Sequence, residues 1–439
     1  MKRTVAIIGG GVAGLSCAAY LGRAGFDVVV YERSNKLGGR ATTQRRDGFD
    51  FNVGPHALYV DGAGTAVLRE LNIPFTGEVA SVSGSFGMVG NTLRTLPTGF
   101  VSMLVSSLLS LSAKAETGKM LQWIKKADTS EASGVSAATW LAQIKNEDAR
   151  ALLSAMFRLT TYCADHEILD AGAALRNLQL AVQSGVYYLD GGWQVLVDGL
   201  RDAAVAAGAR IETSAPVTSI TAQGESFSVT SKTGACLADR VIIAASPAVA
   251  AKLAPWSGSL TTWARDACPV VAATLDVALS QLPQRRKKFV LGIDQPYYFS
   301  VHSETARLAP TGGAMIHVLK YGAGDQPADE VRAELEGLMD LAQPGWREFL
   351  VHERFLPKIT VAGDTPRVAG RPGPSVPEAP GLYVIGDWVG NDGMLVDTSL
   401  ASARLAAQLV SQSWSGDSAM VPPLRNNQHV SQVAHGEAH

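Results

Sequence analysis

Gly9, Gly11 and Gly14 stand in the spacing G-x-G-x-x-G, directly after the short β-branched run TVAIIGG and at the head of VAGLSCAAYLGRAG. The first glycine allows a tight turn, the second lets a pyrophosphate approach the backbone, and the third lets helix and strand pack closely. Val12 and Ala13 complete the turn at the positive end of that helix, where a phosphate is favoured. Glu32 ends the next apolar run, FDVVVYER, with Arg33 beside it. A carboxylate there can accept hydrogen bonds from both ribose hydroxyls and would repel a 2′-phosphate. Gly38 and Gly39 then permit positive φ and close backbone approach, and Arg40 offers a planar fork of donors to a phosphate. Together these residues predict a dinucleotide site that favours FAD or NAD over NADP.

The elements that must position them follow from periodicity. Strand, glycine turn, helix ending on Gly25 and second strand make a βαβ unit within about thirty residues. Residues 93–183 read as mostly helical, with helices over 139–144, 148–159 and 171–183. A helix over 192–207 is followed by strands at 209–213 and 226–232 and by the buried run ADRVIIAAS. Residues 270–319 read as strand-rich, 329–342 as an amphipathic helix, 363–380 as a Pro- and Gly-rich loop, GLYVIGD as a strand and 399–413 as a helix. The expected fold is α/β: a discontinuous Rossmann-type nucleotide domain (1–80, 190–265 and 360–414) with a mixed helix and sheet substrate domain (81–189 and 266–359). The last segment, 415–439, lacks periodicity and is expected to be disordered.

Composition narrows the partners. The 439 residues are 46% hydrophobic and 18% charged, with a formal net charge of −2. Such a chain has no field to attract nucleic acid or an acidic membrane. Its cysteines, Cys17, Cys163, Cys236 and Cys268, are far apart and form no CxxC pair. Neither a disulfide framework nor a metal site is expected, and a cytoplasmic location fits. No run reaches the roughly 18 apolar residues of a membrane span. The nearest, FVSMLVSSLLSL at 100–111, reads as a buried or pocket-lining helix. Its alternative is a helix dipping into a membrane surface, which would make the protein peripheral.

The segments GGGVAGL, YERSNKLGGR and FDFNVGPH resemble the flavin amine oxidase and phytoene desaturase superfamily, closer to its phytoene-desaturase-like branch. LDGGWQVLVDGL, APVTSI and LYVIGDWVGNDGMLVDTSLASARLAA are similar to that family's central and last flavin-binding segments. The resemblance implies FAD as cofactor and extends the site. Gly54, Pro55 and His56 would approach the isoalloxazine ring, Val217 would meet the adenine through its backbone, and Trp193 would line the substrate side. Gly386 and Asp387 would meet the ribityl and phosphate region, and Met394, Leu395 and Val396 would lie at the flavin's pyrimidine edge. A helix starting there aims free N–H groups where negative charge develops on reduction. His56 is the candidate to orient substrate or move a proton.

Departures from the amine oxidase pattern guide the chemistry. Leu395 stands two residues before Asp397, where many amine oxidases carry an aromatic, and the 363–380 loop has no cysteine for a covalent flavin link. The expected function is removal of hydride from an apolar, isoprenoid-like small molecule to non-covalent FAD, with oxygen or a quinone as electron acceptor. Two alternatives stand beside it: an amine or amino-acid oxidase that makes hydrogen peroxide, and a non-catalytic flavoprotein.

Overall fold

The computed structural model describes residues 3–98, 102, 106–232, 234–324 and 326–414. Strand Thr4–Ile8 is the middle of a five-stranded parallel sheet. The order across that sheet is Arg210–Glu212, Asp27–Tyr31, Thr4–Ile8, Arg240–Ile243, Leu382–Val384. Ile7 sits opposite both Val30 and Ile242. All three side chains are buried, as expected of a parallel sheet covered on both faces. Helices Val12–Arg23, Gln194–Ala206 and Val396–Gln412 share one hydrophobic core against it. The sheet therefore draws strands from the two ends and the centre of the chain, and this brings the first glycine turn beside Asp387.

A second sheet of seven strands has the order Leu350–Ala362, Val270–Leu279, Ala314–Tyr321, Tyr297–Val301, Phe289–Gly292, Ser85–Val89, Thr92–Thr95. Strand Ala314–Tyr321 is buried throughout, because helix Ala328–Ala342 covers one face and other elements cover the second. Helices Leu111–Ile124, Ala137–Leu141, Glu147–Thr161 and Ala171–Gln183 form a core of their own at one side. Asn146 and Asp170 cap the last two, each accepting a backbone N–H of the first turn through its side-chain oxygen.

Several expectations are corrected. Thr92–Thr95 is an edge strand paired with Ser85–Val89, so the helical block does not begin at residue 93. Residues 100–101 and 103–105 of the apolar run 100–111 lie outside the described residues. Of its end, Leu108 and Leu109 are buried outside any helix. Ser110 caps the helix that starts at Leu111, which is exposed. The long strand Leu350–Ala362 had no counterpart in the sequence reading. It contains Pro357, which a sheet edge with a register shift tolerates. The helix expected from residue 192 starts at Gln194, because Gly191 and Gly192 sit at φ 71° and 76°. The 415–439 tail lies outside the described residues. Among the described residues no helix is long and apolar enough to cross a membrane.

Candidate active site

A cleft of about 1000 Å³ runs along the carboxyl ends of the parallel strands, walled on its far side by the seven-stranded sheet. Ligand sites of open α/β sheets lie at such strand ends. Two helix N-termini open into it. Gly11 caps Val12–Arg23 and Leu395 caps Val396–Gln412, and neither cap contributes a side-chain hydrogen bond. Their free N–H groups make the cleft attractive to anionic or electron-rich groups.

Of the residues expected at the site, Gly9, Gly11, Val12, Ala13, Glu32, Arg33, Gly38, Gly39, Arg40, Pro55, His56, Trp193, Val217, Gly386, Asp387, Leu395 and Val396 line this one cleft. The Gly38 N–H donates to Gly10 O at 2.8 Å, which ties the second glycine pair to the first turn. Glu32 receives the Gly10 and Ser34 N–H groups on its two oxygens, each at 2.8 Å. Arg40 reaches across to Asp387 at 2.6 Å and to Val361 O at 2.9 Å. Asp387 is buried, and its second oxygen, Oδ1, has no partner among the described residues. Arg371 fastens the loop around it, donating to Asp387 O at 2.9 Å and Gly393 O at 2.7 Å. Leu395 is held at φ 58°, ψ −125°, a strained conformation for a leucine that sets its side chain in the cleft wall.

Three expected site residues lie off the cleft. Gly14 serves packing only: a Cβ there would stand 2.0 Å from Gly9 O. Gly54, at φ 74°, is set behind the wall with its Cα facing Ile359 and Thr274. Met394 is buried in the helical core rather than at the cleft. A further correction concerns His56. Its Nδ1 lies 3.0 Å from Gly54 O and its Nε2 3.1 Å from Arg40 O, while the ring packs edge-on against Trp193 at 4.7 Å. Burial holds its pKa down at about 4, so the ring is neutral at pH 7. A neutral ring carries one N–H and so donates to only one of these carbonyls, and this backbone tether favours a structural role for His56 over the proton transfer expected of it.

The sequence reading missed Tyr162, Leu319, Arg354, Ile359 and Val361, all of which line the cleft. Tyr162 closes helix Glu147–Thr161 at φ 59° and donates to Pro55 O at 3.2 Å. Arg354 is bound from behind by Asp276 through Nη2 at 2.6 Å and Nε at 3.1 Å, and it donates to Asn52 O. None of these five lies in a motif. They reach the cleft because strands or a helix end that are distant in sequence converge there.

Beneath the second helix N-terminus, Asp397 is buried and accepts the Gly64 N–H at 2.8 Å. A Cβ on Gly62 would lie 2.3 Å from its Oδ2, so only glycine fits over the carboxyl. Burial drives this group up to about 7; the Gly64 N–H opposes the rise and the Asp392 charge adds to it. The folded chain therefore keeps a proton that the unfolded chain releases between about pH 4 and pH 7. This contribution to stability is complete below about pH 4, declines as pH rises towards 7, and amounts to roughly 4 kcal/mol at most. Asp397→Asn is expected to flatten that slope, seen by comparing urea unfolding at pH 5 and pH 8. An unchanged slope would place the titrating group elsewhere.

A family model described as flavin-containing amine oxidoreductase matches residues 12–280. Among curated proteins, the carotenoid 3,4-desaturase of Haloarcula japonica is 51% identical over 51 residues, covering 12% of this chain and 10% of that protein. The 4,4′-diaponeurosporene oxygenase of Staphylococcus haemolyticus is 40% identical over 57 residues, covering 13% of this chain and 11% of that protein. The matched stretch is thus about a tenth of either relative. Among solved structures, an oxidoreductase from Methanosarcina mazei aligns with TM-score 0.77 at 19% identity, over 92% of this chain and 100% of that one. A putrescine oxidase bound to putrescine aligns with TM-score 0.68 at 15% identity, over 93% and 99%. At these identities the structural likeness concerns the fold.

Proposed function

The chain belongs to the flavin-containing amine oxidoreductase family, and from that premise we propose that it holds FAD without a covalent bond and removes hydride from an apolar, isoprenoid-like substrate. FAD is supported by the donor set of the cleft. The glycine turn and the N–H groups of Gly11, Val12 and Ala13 suit a pyrophosphate, and Glu32 suits a ribose diol. The unpartnered Asp387 Oδ1 suits a ribityl hydroxyl, and the helix end at Val396 suits the electron-rich edge of the ring. No cysteine is among the described residues that line the cleft. When bound, FAD supplies a hydride acceptor at N5.

The observation that carries the substrate reading is the wall around His56 and Trp193. Leu319, Ile359, Val361 and Leu395 give it apolar surface. The only carboxylates lining the cleft among the described residues are Glu32 and Asp387, both engaged by the nucleotide-binding turns. An ammonium substrate would find no counter-charge there and would face the Arg354 cation instead. An apolar wall suits a neutral chain and a dry site, which is what carbon–hydrogen oxidation requires of the protein. The carotenoid-directed names of the curated relatives agree. A second reading, amine oxidation with oxygen as acceptor, draws on Tyr162 and Trp193, whose rings stand at the same end.

Anaerobic mixing of the FAD-loaded protein with two panels separates these readings. Isoprenoid hydrocarbons and alcohols are expected to bleach the flavin's visible band, while simple amines leave it unchanged. Prompt bleaching by amines with none by isoprenoids would overturn the proposal.

A further inference from the structure

Behind the cleft wall the seven-stranded sheet carries a row of polar side chains that its register creates. Asp276 pairs with Arg354 on one neighbouring strand and with His317 on the other, and His317 pairs with Ser300 beyond. The flanking positions, Leu275, Val277, Ile316 and Val318, are buried and apolar. Asp276 and His317 are wholly buried. Taking such groups out of water costs several kcal/mol per ion unless they are paired, and here they are paired in sequence. His317 Nδ1 lies 2.7 Å from Asp276 Oδ1, and Thr274 Oγ1 donates to the same oxygen at 2.9 Å. The other oxygen, Oδ2, takes Nε and Nη2 of Arg354. His302 packs edge-on against His317 at 4.6 Å and is itself held by Tyr298 OH at 3.0 Å.

The row ends at the cleft. Arg354 is its only member in the wall, with 23% of its side chain exposed. Its Nε and Nη2 are used, by Asp276 and by Asn52 O, whereas Nη1 bonds to no described residue. Asn52 in turn accepts the Trp193 N–H at 3.0 Å, so this guanidinium stands at the His56–Trp193 end. A flexible surface arginine would need no such support. A buried carboxylate, itself braced by a histidine and a threonine, fixes a donor in one direction over an otherwise apolar wall.

We propose that Arg354 is a specificity-determining residue, and that Asp276 and His317 position it to hold an oxygen acceptor on the substrate through Nη1. The preferred substrate is then an isoprenoid-like chain bearing a carboxylate, carbonyl or hydroxyl, bound more tightly than a plain hydrocarbon of the same skeleton. This rests on the apolar-substrate reading above and narrows it. A hydrogen bond to a guanidinium cation distinguishes ligands by about tenfold or more.

The test uses the FAD-loaded protein under anaerobic conditions and three probes with one ten-carbon isoprenoid skeleton: geranic acid, geraniol and the hydrocarbon myrcene. Dissociation constants are read by calorimetry on the photoreduced protein, in which no hydride transfer to the flavin can follow binding. The wild type is expected to bind geranic acid or geraniol about tenfold or more tightly than myrcene. Preference for the acid alone identifies a carboxylate, and equal preference for the alcohol identifies a neutral oxygen. The comparison protein is Asp276→Asn/Arg354→Gln, which removes both charges together so that neither is left buried alone. It is expected to lose the preference while binding myrcene as before. Equal binding of all three probes by the wild type, or a preference that survives in the double variant, would overturn the role of Arg354. That failure is separate from failure of the substrate reading, which would show as flavin reduction by amines.

Discussion

Gly14→Val is expected to yield protein that purifies with little or no flavin. Gly14 lies in the first turn of helix Val12–Arg23, where a Cβ would stand 2.0 Å from Gly9 O and 3.3 Å from the Ala244 side chain. Gly9 cannot yield in turn. It sits at φ 118°, and its own missing Cβ faces Ala244 O at 2.4 Å. The helix must therefore swing off the strand, and the N–H groups of Gly11, Val12 and Ala13 no longer converge. Overpacking of this kind costs about 1–3 kcal/mol in stability. The loss of FAD is expected to be larger, with the ratio of bound flavin to protein falling at least about tenfold, because the pyrophosphate depends on the turn's geometry. Gly118→Ala is the control, since Gly118 has no heavy atom within 4 Å of the added position. Retention of full flavin by Gly14→Val would contradict the role assigned to the turn.

The second large effect concerns stability. Arg354→Met removes the cation from a carboxylate that is wholly buried. Breaking one partner of such a pair costs about 3–5 kcal/mol, whereas removing both is far less harmful. Arg354→Met is thus expected to lower the urea midpoint strongly, and Asp276→Asn/Arg354→Gln to recover most of the loss. A cost below about 1 kcal/mol, in the range of an exposed pair, would mean that water reaches Asp276 and that the row is not closed as described.

The two ends of the site were unequally legible. The glycine turn, Glu32, the Gly38–Gly39 pair and the Gly386–Asp387 segment could be read because each depends on neighbours in sequence: a strand, a turn and a helix start within a few residues. Leu395 was legible as a site residue, though its positive φ was not. The row of Arg354, Asp276 and His317 was invisible for the opposite reason. Its members are brought together by the register of three strands; Asp276 and His317 each look like a single polar residue in an apolar run, and Arg354 like one of three consecutive polar residues at a sheet edge. Met394 was misplaced, and His56 was given a proton-transfer role, because side-chain direction is decided by packing that no local pattern encodes. Met394 turns into the helical core, and His56 turns between two carbonyl groups. Thr92–Thr95 and Leu350–Ala362 escaped notice as strands because both lie at edges of the sheet, where an arginine or a proline is tolerated.

The roles assigned to the glycine turn, Glu32, Asp387 and the helix end at Val396 all require the cleft to hold intact, non-covalent FAD. The most direct measurement is acid precipitation of the purified protein followed by chromatography of the supernatant. About one equivalent of free FAD per chain is predicted, with no flavin left in the pellet. Flavin retained by the precipitated chain, or released only as a mononucleotide, would contradict it.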